Sequence, residues 1–225
     1  MTVPPNHLTR TLVFHITHVE NLPAIFQQGA LLSTNSLTGE NRVSIANEEV
    51  QDRRASKQVS VAPEGVLHDY VPFYFAPRSP MLYCNHCQSI ENAQPQSEIV
   101  TLATTAQHLA NEHQCVFYDR HAVLGHAKCS NQIEELAEID WRIFFETPLM
   151  GDYAKYWQDR QDDAHPHWHS RREVRMAEFL VYQLVDINLI QLIATQNQET
   201  GSKVEAALQE SGLDITVKVK PEWYF

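Results

Sequence analysis

Three apolar stretches each carry one residue able to do chemistry. Residues 14–18 read FHITH, residues 72–83 read PFYFAPRSPMLY and residues 175–181 read RMAEFLV, which sets His15, Tyr74 and Glu178 inside runs otherwise suited to strands. An imidazole moves protons, a phenol ring stacks on a planar group, and a carboxylate stabilises positive charge that develops in a transition state. Each alone also fits a structural part: a histidine satisfied in the core, or a glutamate projecting from a sheet edge. Two further clusters suggest metal. CNHC at 84–87 has C-x-x-C spacing, and HPHWH at 165–169 has histidines two apart that an extended segment would put on one side. Structural zinc needs four ligands, and Cys115 and Cys129 are not spaced as a second pair, so the cysteines read as reduced thiols. HPHWH reads as a solvated loop. His15 and His18 lie three apart, a spacing that sends them to opposite faces of a strand. They cannot easily share one metal; His15 and Thr17 fall on one side and His18 on the other. No metal is expected.

The elements that must hold these residues follow from periodicity and punctuation. TLVFHITH alternates and is rich in β-formers, so it predicts a strand. The helix VENLPAIFQQG follows, with Gly29 as its stop. ALLST predicts a short strand. Residues 35–65 form a long polar stretch with one helical piece around ANEEVQDRRA, and loops of that length in a compact domain are usually functional. DYVPFYFAP is a strand punctuated by prolines, and SPMLYCNHCQS opens a helix with Ser79 as N-cap and Pro80 in the first turn. SEIVTLATT, QCVFYD, LIQLIATQ and DITVKVKPEWYF predict strands; TTAQHLANEH, CSNQIEELAEIDW and TGSKVEAALQESG predict helices. EVRMAEFLVYQLV fits strand or helix by periodicity alone. Short strands and helices without regular βαβ alternation predict an α+β fold.

The chain has 225 residues, 20% of them charged and 43% hydrophobic, as in one globular domain. No apolar run approaches the roughly 20 residues that span a bilayer, and MTVPPNHLTR carries no signal pattern, so a cytoplasmic protein without membrane contact is expected. A formal net charge of −11 argues against nonspecific nucleic-acid binding by the surface as a whole. The basic residues nevertheless cluster at Arg53, Arg54 and Lys57 and at Arg171, Arg172 and Arg175. There is no Gly-rich phosphate loop and no G-x-S-x-G.

The order His15, Tyr74, Glu178, with H-x-T in the first strand and Y-F-A followed by serine in the next, resembles the diphtheria-toxin/PARP branch of the ADP-ribosyltransferases. More narrowly, the chain resembles the DarT family of DNA ADP-ribosyltransferase toxins. The matching stretches are FHITHVENLPAIFQQGAL, QDRR, DYVPFYFAPRSPMLY, VFYDRHA, EIDW, RMAEFLV and the terminal EWYF. They run in order over nearly the whole chain, and VPFYFAPRSPMLY and AEFLV are the most specific.

The resemblance implies a single ADP-ribosyltransferase domain over 1–225, with split mixed and antiparallel sheets flanked by helices. It implies NAD as substrate and transfer of ADP-ribose to a base in single-stranded DNA, thymidine first and guanosine in some relatives. A DarG-like macrodomain antitoxin is the implied partner, and the chain is expected to act as a monomer. NAD would be held by His15, Ile16, Thr17 and Leu32, by Tyr74 stacked on nicotinamide, and by a loop at 35–59. In that loop Arg53 best matches the family's arginine, with Arg54 left open beside it. Glu178 would bond the nicotinamide ribose. Residues 121–178 would read the substrate, with His121 beside the acceptor base. Lys57, Arg78, Arg171, Arg172 and Arg175 would line a basic DNA groove, and Trp168 either stacks on a base or lies on a surface loop. Modification of RNA or protein, and a non-catalytic nucleic-acid-binding module, are the alternatives.

Overall fold

The β-branched and aromatic runs fold as strands. The computed structural model describes residues 10–38, 42–145 and 171–225, in which the strands are β1 Leu12–His18, β2 Ala30–Leu32, β3 Tyr70–Tyr74, β4 Ile99–Thr105, β5 Cys115–His121, β6 Cys129–Ser130, β7 Ala177–Tyr182, β8 Leu184–Asp186, β9 Leu192–Thr195 and β10 Thr216–Val219. The α-helices of the same residues are α1 Leu22–Gln28, α2 Glu48–Ser56, α3 Pro80–His86, α4 Ala106–Glu112, α5 Arg142–Phe145, α6 Arg171–Arg175 and α7 Gln198–Ser211. Their ends follow local chemistry. Gly29 adopts φ 69° to close α1, and Ser79 Oγ accepts the Leu82 N–H to open α3.

Eight strands form one mixed sheet in the order β10-β9-β4-β1-β3-β7-β5-β6, and β2 pairs with β8 separately. Only β10 and β9 run parallel in the large sheet. Its centre is weakly joined. β1 pairs with β4 over seven positions, whereas β1 and β3 share a single registered pair, Phe14↔Tyr74. Two positions from Tyr74 stands Pro72, which has no N–H to give a ladder. The sheet therefore splits into a half built on β1 and a half built on β3 and β7, and a cleft opens between them.

Each half is anchored by apolar packing. On one face Val13, Leu102, Phe73, Phe179 and Phe117 are buried in one cluster with Leu22 and Phe26 of α1 and Val204 and Leu208 of α7. Burying side chains such as Phe73 and Phe179 contributes about 2–3 kcal/mol each. On the other face Ile16, Ile45, Leu82, Ile99 and Tyr224 pack together, and the Tyr224 hydroxyl donates to carbonyls of Ile99 and Ala194.

Two readings of the sequence change here. Residues 133–138, expected as an α-helix, form a 3-10 segment without a side-chain cap. Glu134 and Glu135 face Glu138 at helical spacing, and like charges so placed disfavour an α-helix. The ambiguous run EVRMAEFLVYQLV resolves into α6 followed by β7 and β8. HPHWH and Trp168 lie outside the described residues.

Candidate active site

His15 spans the split. Its Nδ1 donates to the Pro72 carbonyl at 2.8 Å, taking the acceptor that a β-ladder would have used. A carbonyl cannot donate, so Nδ1 carries the proton and Nε2 is an acceptor whenever the ring is neutral. Burial pushes the imidazole down to about 4, further lowered by the Arg42 charge and partly opposed by the Pro72 bond. The cleft thus holds a neutral histidine able to accept from a hydroxyl. An NMR titration of the His15 ring is expected to show the Nδ1–H tautomer and a midpoint near 4; a midpoint in the ordinary range would contradict this environment. His18, on the opposite side, is structural: Nδ1 accepts the Glu20 N–H and Nε2 lies 3.2 Å from Glu98 Oε2.

Glu178 sits on β7 between two tyrosines, in register with Tyr74 of β3 and Tyr118 of β5. It is 3% exposed, so its carboxylate needs partners. Oε2 accepts from Arg54 Nη1 at 2.6 Å, and Oε1 accepts the Ala122 N–H at 3.3 Å. A register shift in β5 between Tyr118 and His121 brings the following turn back over the carboxylate. His121 Nδ1 then lies 3.6 Å from Oε1, an electrostatic neighbour beyond hydrogen-bond range. Burial lowers the His121 pKa; Glu178 opposes that, and Arg54, Arg53 and Arg172 add to it. Burial first, and then the Glu178 charge, push the Tyr74 phenol up, keeping it protonated.

Arg54 reaches this position from α2, a polar helix whose only buried residue it is. Asn47 caps α2 through the Val50 N–H, and His68 Nε2 lies 3.1 Å from Gln51 Oε1 on the next turn. Arg54 Nη2 is buried without a hydrogen-bond partner. A buried orphan donor is unusual, and this one belongs to a residue that lines the cleft.

The cavity gathers His15, Ile16, Thr17, Leu32, Arg54, Tyr74, His121 and Glu178. Arg53 is corrected: it is exposed and lines no part of the cavity, because successive helical residues point about 100° apart. The expected basic groove is corrected as well. Arg171 and Arg175 are 2% and 7% exposed. Arg175 donates to the carbonyls of Ile143 and Arg78, and Arg78 donates to the Tyr224 carbonyl, so these two fasten chain segments. Lys57 reaches the Leu124 carbonyl. Arg172 alone of that set is exposed. Arg172→Ala should lower the salt slope of single-stranded DNA binding by about 0.7, whereas Arg171→Ala should lower stability by about 3 kcal/mol. Salt titrations and urea unfolding separate the two, and equal effects would contradict the assignment. The sequence reading missed Pro72 and Ala122. Only the proline carries a signal, as a strand residue without an N–H.

A cleft at the weakly joined centre of the sheet, with His15 on β1, Tyr74 on β3 and Glu178 on β7, is the arrangement that the resemblance to ADP-ribosyltransferases implies. The model of the family described as "ssDNA thymidine ADP-ribosyltransferase, DarT" matches residues 14–225. The DNA ADP-ribosyl transferase of Thermus sp. (strain 2.9) is 39% identical over 219 residues, covering 96% of each chain. Thermus sp. 2.9 DarT, solved in complex with NAD+, has a TM-score of 0.82 at 35% identity over 100% of both chains. In complex with ADP-ribosylated ssDNA it has a TM-score of 0.83 at 36% identity over 96% of both. A protein of Thermosipho africanus named as a fusion of DNA ADP-ribosyl transferase and DNA ADP-ribosyl glycohydrolase is 27% identical over 217 residues, and the match covers 95% of this chain and 49% of the fusion. The chain belongs to the DarT family and is an NAD-dependent ADP-ribosyltransferase.

Proposed function

We propose that the cleft binds NAD and transfers its ADP-ribose to a thymine base in single-stranded DNA. The observation that carries this is the buried Arg54–Glu178 pair, with Arg54 Nη2 unpartnered, in a cavity that His15 and Tyr74 also line. His15 Nε2 would accept from a ribose hydroxyl, and Tyr74 would pack on the nicotinamide ring. Glu178 would bond the hydroxyl of the adjoining ribose. As the C1′–N bond to nicotinamide breaks, its electron pair leaves with nicotinamide and positive charge builds on the ribose. The Glu178 carboxylate stabilises that charge from a buried position. The thymine ring N–H must lose its proton as the nitrogen bonds C1′. His121, held neutral by burial, is placed to accept it, and Arg54 Nη2 is placed to steady the resulting anion.

The base is named by the family description, and the Thermus complex with ADP-ribosylated ssDNA supports single-stranded DNA as the acceptor. Single strands offer that base without the opening of a duplex. Among the described residues no helix is long and apolar enough to cross a membrane, and no group of three His, Cys, Asp or Glu is placed to hold a metal ion. We place the protein in the cytoplasm, where NAD and DNA meet. The Thermosipho fusion supports a DarG-like macrodomain partner that removes the modification. Labelled NAD offered with separate pools of single-stranded DNA, RNA and protein tests the reading. Label is expected in the single-stranded DNA; label confined to RNA or protein overturns it.

A further inference from the structure

Asn21 occupies the N-cap position of α1 but makes no cap hydrogen bond. Elsewhere Asn47, Ser79, Thr105 and Asn197 all accept a backbone N–H of the helices they open. The exception has a local reason. Asn21 ends the preceding 3-10 turn with helical backbone angles, φ −80° and ψ −18°, whereas the four capping residues are extended. The Asn21 amide is free to turn outward, and it does so with full use of its groups. Nδ2 donates to Thr17 Oγ1 at 3.0 Å and to the Val43 carbonyl at 2.9 Å, while Oδ1 accepts the Val43 N–H at 2.9 Å.

The pair of bonds to Val43 imitates one rung of a β-ladder, made by a side chain in place of a strand. It joins the loop at residue 43 to Thr17 on β1, and Thr17, Asn21, Arg42 and Val43 all border the cleft. Arg42 lies next to the clamped residue, and its charge is felt by His15 within the cleft. We infer that Asn21 is a positioning residue that fastens the loop at 42–43 across the cleft so that the NAD-binding wall is formed before NAD arrives. The inference rests on the reading of the cleft as the NAD site. A wall held in place lowers the ordering required on binding, so its loss acts on NAD affinity more than on the chemical step.

Trypsin cuts after arginine and reports the clamp directly at the Arg42–Val43 bond. Asn21→Ala removes all three hydrogen bonds. Asn21→Asp keeps an acceptor for the Val43 N–H but sets a carboxylate oxygen against the Val43 carbonyl. Both variants should be cut after Arg42 about ten-fold faster than wild type, because the opening that exposes the bond no longer has to break the full set of Asn21 hydrogen bonds. KM for NAD should rise about ten-fold with kcat within about three-fold, and the melting temperature should move little. Wild-type cleavage rates in both variants, or a fall in kcat at unchanged KM, would overturn the inference. If neither variant folds, amide exchange of Val43 in the wild type decides: protection supports the clamp, and exchange at open-loop rates overturns it. A protected Val43 in a wild-type protein that binds no NAD would leave the clamp standing as a structural fastening and overturn the NAD reading.

Discussion

Replacing Arg54 by alanine is expected to lower the single-turnover rate of ADP-ribose transfer by at least ~10²–10³-fold, while Arg53→Ala stays within about two-fold of wild type. The contrast comes from one helical step. Arg54 is buried with Nη1 2.6 Å from Glu178, and Arg53 faces outward. The same substitution should destabilise the fold by about 3–5 kcal/mol in urea unfolding, since it strips the counter-charge from a buried carboxylate. Arg54→Lys should rescue stability in part and rate very little. One ammonium supplies the charge, but it cannot hold Glu178 and also present a second, directed donor to the cleft. Equal losses in Arg53→Ala and Arg54→Ala, or a fully active lysine variant, would contradict this geometry.

Glu178→Gln should be nearly as damaging to rate, by about 10²–10³-fold, with NAD affinity changed only a few-fold. The amide preserves the shape of the carboxylate and its place between Tyr74 and Tyr118. It loses the negative charge that matters most once the ribose becomes positive. Glutamine also brings an NH2 where both neighbours donate, Arg54 Nη1 at one oxygen and the Ala122 N–H at the other. A stability loss of about 1–3 kcal/mol follows from the donor left unmatched. Calorimetric titration with NAD beside single-turnover rates separates the two effects. An affinity loss as large as the rate loss would mean that Glu178 serves binding alone.

Much of this site was legible in the sequence because it is written on strands. Alternation sent His15 and Thr17 one way and His18 the other, and the structure puts the first two on the cleft and pairs the third with Glu98. The split of the sheet was expected from resemblance, and its physical cause, a proline at 72 where β1 and β3 part, was visible but not read. The arginines show where sequence reading runs out. Arg53 and Arg54 are identical in type, and only the docking of α2 decides which one turns inward. Arg171 and Arg175 looked like a basic face, yet both are buried, and the long side chain of Arg175 carries its guanidinium to the carbonyls of Ile143 and Arg78. Asn21 carried no signal at all. Its partner Val43 is 22 residues away, and its hydrogen bonds exist only once the loop is in place.

The central claim is that the cleft between the two halves of the sheet transfers ADP-ribose from NAD to a base of single-stranded DNA. Its most direct test is mass spectrometry of four single-stranded oligonucleotides, each offering one kind of base in a common backbone, after incubation with NAD and either wild-type protein or Glu178→Gln. The expected result is one ADP-ribose on the thymine-containing strand with the wild type, mapped by fragmentation to the base, and an unmodified strand with the variant over the same time. Modification by both proteins alike, or no modification of any strand by a wild-type protein that still releases nicotinamide, would contradict the account.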